Sequence, residues 1–139
     1  MPKSDAQELA DRYVAVWNEP DAGVRRKLVS ELWSPDGVHV LQAPQEMRKS
    51  AVELGFSDAT LEARGHEELE VRVSRAYEDF VAPGEMVFRA RRDAARLRNV
   101  VTFHWEALQR TGEVGAVGLE FLVLDEEDRI TSDYQFIEI

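Results

Sequence analysis

Asn99–Ile139, NVVTFHWEALQRTGEVGAVGLEFLVLDEEDRITSDYQFIEI, alternates apolar and polar residues with a period of two, and turn residues interrupt it at regular intervals. That pattern predicts a meander of strands. Asn99 to Gln109 is one strand, Arg110 to Glu113 a hairpin, Gly115 to Leu124 a second strand, Asp125 to Asp128 a polar turn, and Ile130 to Ile139 a third strand. Successive side chains of a strand point to opposite faces. Val101, Phe103 and Trp105 therefore share one face, suited to the inside of a curved sheet, and His104 and Glu106 point outward. On the last strand Asp133, Gln135 and Ile137 oppose Tyr134, Phe136 and Glu138.

Upstream the period changes. Met86 to Arg91 reads as a further strand, and the charged Asp93 to Arg98 as a strand end or turn. Before them come helical patterns. Ser4 can cap a first helix, with Glu8 one place past a capping box, and Leu9, Tyr13, Val16 and Trp17 form its apolar stripe. Asn18-Glu19-Pro20-Asp21 ends it. Asp21 caps a second helix with Leu28, Val29, Leu32 and Trp33 on its apolar face. Ser34-Pro35-Asp36-Gly37 reads as a turn, and Val38 to Leu41 as a short strand. Gln42 to Gly65 has mixed polarity, with a short helix expected over Met47–Leu54, and its length suggests a functional loop. His66 to Phe80 is a third helix, burying Leu69, Val73, Ala76, Tyr77 and Phe80, and Pro83-Gly84 ends it. Helices first and a meander afterwards predict one α+β domain over residues 1–139: three N-terminal helices packed on a curved antiparallel sheet.

Composition narrows the function. Seventeen Lys+Arg against 27 Asp+Glu give a net charge of −10. So negative a surface repels phosphate backbones and anionic lipid, so neither nucleic acid nor membrane is an expected partner. The run Arg89, Arg91, Arg92, Arg96, Arg98 then reads as a solvated face. The chain has no cysteine, which excludes disulfides and thiolate metal sites and is compatible with the cytoplasm. Met1 to Asp5 lacks the regions of a signal peptide, and no apolar run approaches the roughly 18 residues of a membrane span.

The order of elements resembles the SnoaL-like, nuclear transport factor two-like superfamily, whose fold is a cone of three helices and a curved sheet. Its members include ketosteroid isomerases, polyketide cyclases and limonene epoxide hydrolases. The resemblance is carried by Arg12-Tyr13-Val14-Ala15 through Asn18 and Asp21, by Leu32-Trp33-Ser34-Pro35-Asp36-Gly37-Val38, and by Phe103-His104-Trp105-Glu106. Gly118-Leu119-Glu120, Asp125 to Ile130 and Asp133-Tyr134 complete it. It implies a small-molecule pocket between helices and sheet. Tyr13 and Glu120 fall where ketosteroid isomerases place their oxyanion donors. That family's carboxylate base would fall on Leu41, which cannot take a proton. Asp133-Tyr134 matches the last-strand aspartate of limonene epoxide hydrolases, and their first-strand polar pair falls on His39 and Leu41. The fold hosts enzymes and non-enzymes alike, so the resemblance implies acid–base chemistry or ligand binding without naming a reaction.

The candidate catalytic residues are accordingly Asp133, His39, Tyr13 and Glu120. An aspartate facing an apolar cavity loses hydration and becomes a usable acid or base. His39 is the one candidate base on the first strand, because histidine titrates near neutrality. Glu120, protonated, and Tyr13 would donate to a developing oxyanion. Trp17, Trp33, Leu41, Phe56, Phe103, Trp105 and Gln135 are expected to line the pocket around a small, largely apolar molecule. No metal site is expected, because His39, His66 and His104 are far apart with no His-x-x-x-His or Glu-x-x-His pair, and no cofactor is implied. The outer face of the sheet, with Val100, Leu108, Leu122, Leu124, Tyr134 and Phe136, would expose enough apolar area to favour a homodimer. A non-catalytic ligand-binding or dimerisation domain is the alternative.

Overall fold

The computed structural model describes residues 5–42, 49, 53–54 and 60–138. Among these residues three α-helices pack on one open sheet of seven strands, the α+β arrangement expected. Helix α1 spans Ala6–Asn18, with Asp5 rather than Ser4 as N-cap: its carboxylate accepts from Glu8 N at 3.2 Å. Counting from Asp5 puts Glu8 in the third helical position, where a capping box needs an acid. Helix α2 spans Ala22–Leu32, capped by Asp21, and ends a residue before the expected Trp33. Trp33 instead opens strand β1, Trp33–Gln42.

The expected turn at Ser34–Gly37 is a bulge within β1. Trp33 pairs with Ile130 and Val38 with Ser132, so the bulged strand carries three more residues than its partner between these pairs. Gly37 fits because a Cβ there would sit 2.9 Å from the Ile130 carbonyl oxygen. Strand β2, Thr60–Arg64, lies in the stretch that sequence patterning left unread and pairs with β1 antiparallel. The expected helix over Met47–Leu54 lies largely outside the described residues.

Helix α3 spans Gly65–Ala76 and passes into a π-helical turn, Tyr77–Val81. Leu69 and Val73 are buried as expected, but Phe80 is exposed, because the wider turn rotates it off the stripe. The remaining strands are β3 (Met86–Ala90), β4 (Ala95–Leu97), β5 (Val100–Gln109), β6 (Val114–Leu124) and β7 (Ile130–Ile137). The sheet order is β2-β1-β7-β6-β5-β3, with β4 pairing β5. Every pairing is antiparallel except β1 with β7, so the sheet is mixed. A parallel pair needs a long crossover, and the ninety residues or so between these strands supply it.

The core lies between the helices and the inner face of the sheet. Val101, Phe103, Trp105 and Ala107 point into it, as do Leu122 and Leu124. The last two were expected outside. They share parity with Glu120, which is also buried, so alternation along one strand requires all three on one face. The outward row is Phe121, Tyr134 and Phe136, all exposed. Outward Glu106 is held by Arg89 and Arg91, the latter at 3.1 Å. Arg92 pairs with Asp11 and Arg96 with Asp128, so Arg89, Arg91, Arg92 and Arg96 of the run are held in ion pairs.

One close approach fixes the inner wall. Gly118 pairs with Trp105, and a Cβ at Gly118 would fall 2.1 Å from Trp105 Cζ2. Gly118→Ala should destabilise the chain by about 1–3 kcal/mol through overpacking, measured by chemical denaturation. Unchanged stability would mean that the indole does not rest on this glycine.

Candidate functional site

A cleft of about 1290 Å³ opens between the helices and the inner face of the sheet. Its wall combines Tyr13 and Trp17 of α1, His39 and Leu41 of β1, Arg72 of α3, Phe88 of β3, Trp105 of β5 and Gln135 of β7. Trp33 and Phe103, expected to line it, lie deeper: both are buried and pack against the Tyr13 ring at 5.5 Å between centroids. The large rings that could have lined the cleft instead close the core behind Tyr13. Phe56 lies outside the described residues.

Beneath this wall is a second tier. Asp133 and Glu120 are both 0% exposed and are not among the lining residues. Both side chains are inward, where strand parity puts them, but the expectation that Asp133 faces the cavity itself is not met. Tyr13 covers it: the Tyr13 hydroxyl donates to Asp133 Oδ2 at 2.7 Å. Trp105 Nε1 donates to Glu120 Oε1 at 2.9 Å, so the indole links the wall to the second carboxyl. One oxygen of each acid, Asp133 Oδ1 and Glu120 Oε2, is buried with no hydrogen-bond partner.

Strand register assembles the cluster. The parallel pairing sets His39 beside Asp133, with His39 Nε2 3.9 Å from Asp133 Oδ2. The β6–β7 pairing sets Leu122 opposite Asp133 and Glu120 opposite Gln135. Gln135 Oε1 lies 2.9 Å from His39 Nε2. Trp17 covers the imidazole, with ring centroids 5.5 Å apart. Sequence reasoning did not single out Arg72, which lies 2.9 Å from His39 Nδ1. A signal was present: Leu69, Arg72, Val73 and Ala76 follow the i, i+3, i+4, i+7 spacing of one helix face, and Arg72 is the charged member.

Electrostatics follow from burial. Desolvation raises the Glu120 carboxyl well above its ordinary range, and the Asp133 charge adds to it, while the Trp105 and Tyr13 donors act the other way. Burial, then the Asp133 and Glu120 charges, pushes the Tyr13 hydroxyl up, so it remains a donor. Burial lowers His39 below the usual histidine value; Asp133 opposes this and Arg72 reinforces it. His39, Glu120 and Asp133 each offer a ligand atom within 4.8 Å of the others, the one such trio among the described residues. The two acids already accept from Tyr13 and Trp105.

No protein family's sequence profile matches the chain, and no curated protein is similar to it. Solved structures are. A protein of the SnoaL-like family from Agrobacterium tumefaciens, described as a candidate isomerase, superposes with a TM-score of 0.77 at 22% identity, over 96% of this chain and 97% of its own. The chain has the SnoaL-like fold. A Catenulispora acidiphila protein with a ketosteroid isomerase-like fold, solved with trimethylamine, gives 0.60 at 17% identity over 95% and 86% of the two chains. A Sinorhizobium meliloti protein described as a candidate polyketide cyclase gives 0.57 at 10% identity over 93% and 94%. These likenesses establish the cone-shaped α+β fold. No described helix is long and apolar enough to cross a membrane.

The raised Glu120 carboxyl has a stability signature. The folded chain holds this proton more tightly than the unfolded chain, whose value lies near 4.5. The resulting stabilisation is complete below that value and is lost as pH rises toward the folded-state value. Gln mimics the protonated acid and cannot ionise. Relative to wild type, Glu120→Gln should therefore melt at progressively higher temperature as pH rises from about 5 to about 8. Parallel pH profiles would show that Glu120 does not titrate in this window.

Proposed function

We propose that the protein performs acid–base chemistry on a small, largely apolar molecule held in the SnoaL-like cleft. Isomerisation, cyclisation, dehydration and epoxide hydration are the reaction types in reach. The observation that carries this reading is the Tyr13–Asp133–Glu120 arrangement: Tyr13, a residue of the cavity wall, donates its hydroxyl at 2.7 Å to one of two carboxyls buried beneath it. Tyr13 then serves as the proton's route. As its oxygen takes a proton from the substrate, its own proton passes to Asp133, and the reverse transfer returns a proton elsewhere on the product. Glu120, protonated through burial, stabilises the charge on Asp133. The isomerase and cyclase descriptions of the structural relatives agree with this class of chemistry.

The partner is a small molecule rather than nucleic acid or a membrane surface, because the net charge of −10 repels both. We also propose a homodimer through the outer face of the sheet. Phe121 and Tyr134 are paired across β6 and β7, Phe136 lies two residues along, and the three exposures reach 37%, 41% and 45%. Sedimentation should give a dimer at micromolar concentration and a monomer for Phe136→Asp. A wild-type monomer would remove this proposal.

Asp133→Asn and Tyr13→Phe test the chemistry. Each preserves shape, so the far-ultraviolet circular dichroism should be unchanged. Turnover of a substrate found by screening enones and epoxides, or by mass spectrometry of co-purified ligand, should fall at least about 100-fold, while binding persists. Undiminished turnover in Asp133→Asn would overturn the proton route, and binding without any turnover would favour a ligand-binding domain.

A further inference from the structure

Arg72, His39 and Gln135 form a hydrogen-bonded row along the cavity wall, and its direction is set at one end. Arg72 Nη1 lies 2.9 Å from His39 Nδ1, 3.1 Å from His39 O and 3.3 Å from Leu61 O. A guanidinium has five N–H donors and no acceptor. His39 Nδ1 must therefore present its lone pair, and the neutral ring carries its proton on Nε2. A protonated His39 would set two donors and two positive charges face to face. His39 Nε2 then donates to Gln135 Oε1 at 2.9 Å. With its oxygen turned inward, Gln135 has only its NH2 group left to offer, and among the described residues nothing accepts from it. Gln135 lines the cavity.

We infer that Gln135 Nε2 is the group that binds a carbonyl oxygen of the ligand, and that Arg72 is the positioning residue that turns this donor outward. The inference rests on the pocket reading above and adds a substrate class to it. Uncharged carbonyls are favoured over carboxylates: Glu62 and Glu68 act on Arg72 electrostatically, as does Asp133, and Glu62 and Glu68 also line the cleft. An anion there would meet more negative than positive charge. The same polarity gives His39 a role other than base. Its Nδ1 lone pair is taken by Arg72 and its Nε2 is protonated, which leaves no lone pair for a substrate proton or for a cation shared with Glu120 and Asp133.

Two measurements on the full chain test this. A two-bond proton–nitrogen correlation spectrum reads the tautomer directly. Wild type should show His39 protonated at Nε2 alone at neutral pH, and Arg72→Met should give mixed tautomers, with Arg72→Lys restoring the single form. A wild-type His39 protonated at Nδ1, or at both nitrogens, would overturn the assignment. The second measurement compares 1-indanone with indane, its hydrocarbon counterpart, by ligand-observed NMR. Wild type should prefer the ketone about fivefold, the scale of one net hydrogen bond. Gln135→Leu should abolish the preference while leaving indane binding within about twofold, and Arg72→Met should weaken it. Equal affinities in wild type would overturn the carbonyl assignment while leaving the Tyr13–Asp133 proton route untouched. Binding of neither probe would remove the pocket reading and this inference with it.

Discussion

A carboxylate removed from water must find a donor or the fold bears the desolvation cost. Asp133 finds one 120 residues away, in the hydroxyl of Tyr13. That single bond ties helix α1 to the last strand and limits how the helix can lie on the sheet. Tyr13 must reach across the core to β7 while its ring stays among apolar partners, and Trp17, Trp33 and Phe103 supply them at centroid distances of 6.0, 5.5 and 5.5 Å. The strand registers then determine what else surrounds the aspartate. β1 runs parallel to β7 with His39 beside Asp133, and β6 runs antiparallel with Glu120 opposite Gln135. No residue of the cluster could move by one register position without turning to the other face of the sheet.

The period of two was enough to read much of this from the sequence. Parity alone puts Phe103 and Trp105 inside and His104 outside, and it fixes which neighbours share a face with Asp133 and Glu120. The same rule puts Leu122 and Leu124 inside with Glu120, because alternate residues of one strand share a face. Depth is a different matter. Parity tells which face a side chain takes but not whether another side chain lies over it, so the covering of Asp133 by Tyr13 was invisible. The β1–β7 parallel pairing was hidden for a related reason: pairing partners far apart in sequence leave no local signal. Ser34–Gly37 has turn chemistry, yet the neighbouring strand absorbs the extra residues as a bulge. Arg72 was overlooked because a charge on a helix stripe reads as solvated, whereas here carbonyls and an imidazole surround it.

Two tiers of polar groups serve different physical ends. The wall groups, Tyr13, Trp105, Gln135 and His39, meet the cavity through donors or rings. The carboxyls lie behind them with no solvent contact. Interactions between charges are stronger where water is excluded, so a proton added to or taken from the Asp133–Glu120 pair is felt by both acids and by Tyr13. Trp105 holds this tier in place from one side. Its indole rests on Gly118, where any larger residue would collide with it, and its N–H is thereby aimed at Glu120. Tyr13 holds it from the other side: it belongs to the cavity wall and donates its hydroxyl to Asp133. The chain thus keeps its acids dry without isolating them: one hydroxyl joins the wall to Asp133, and burial raises its pKa so that it remains a donor.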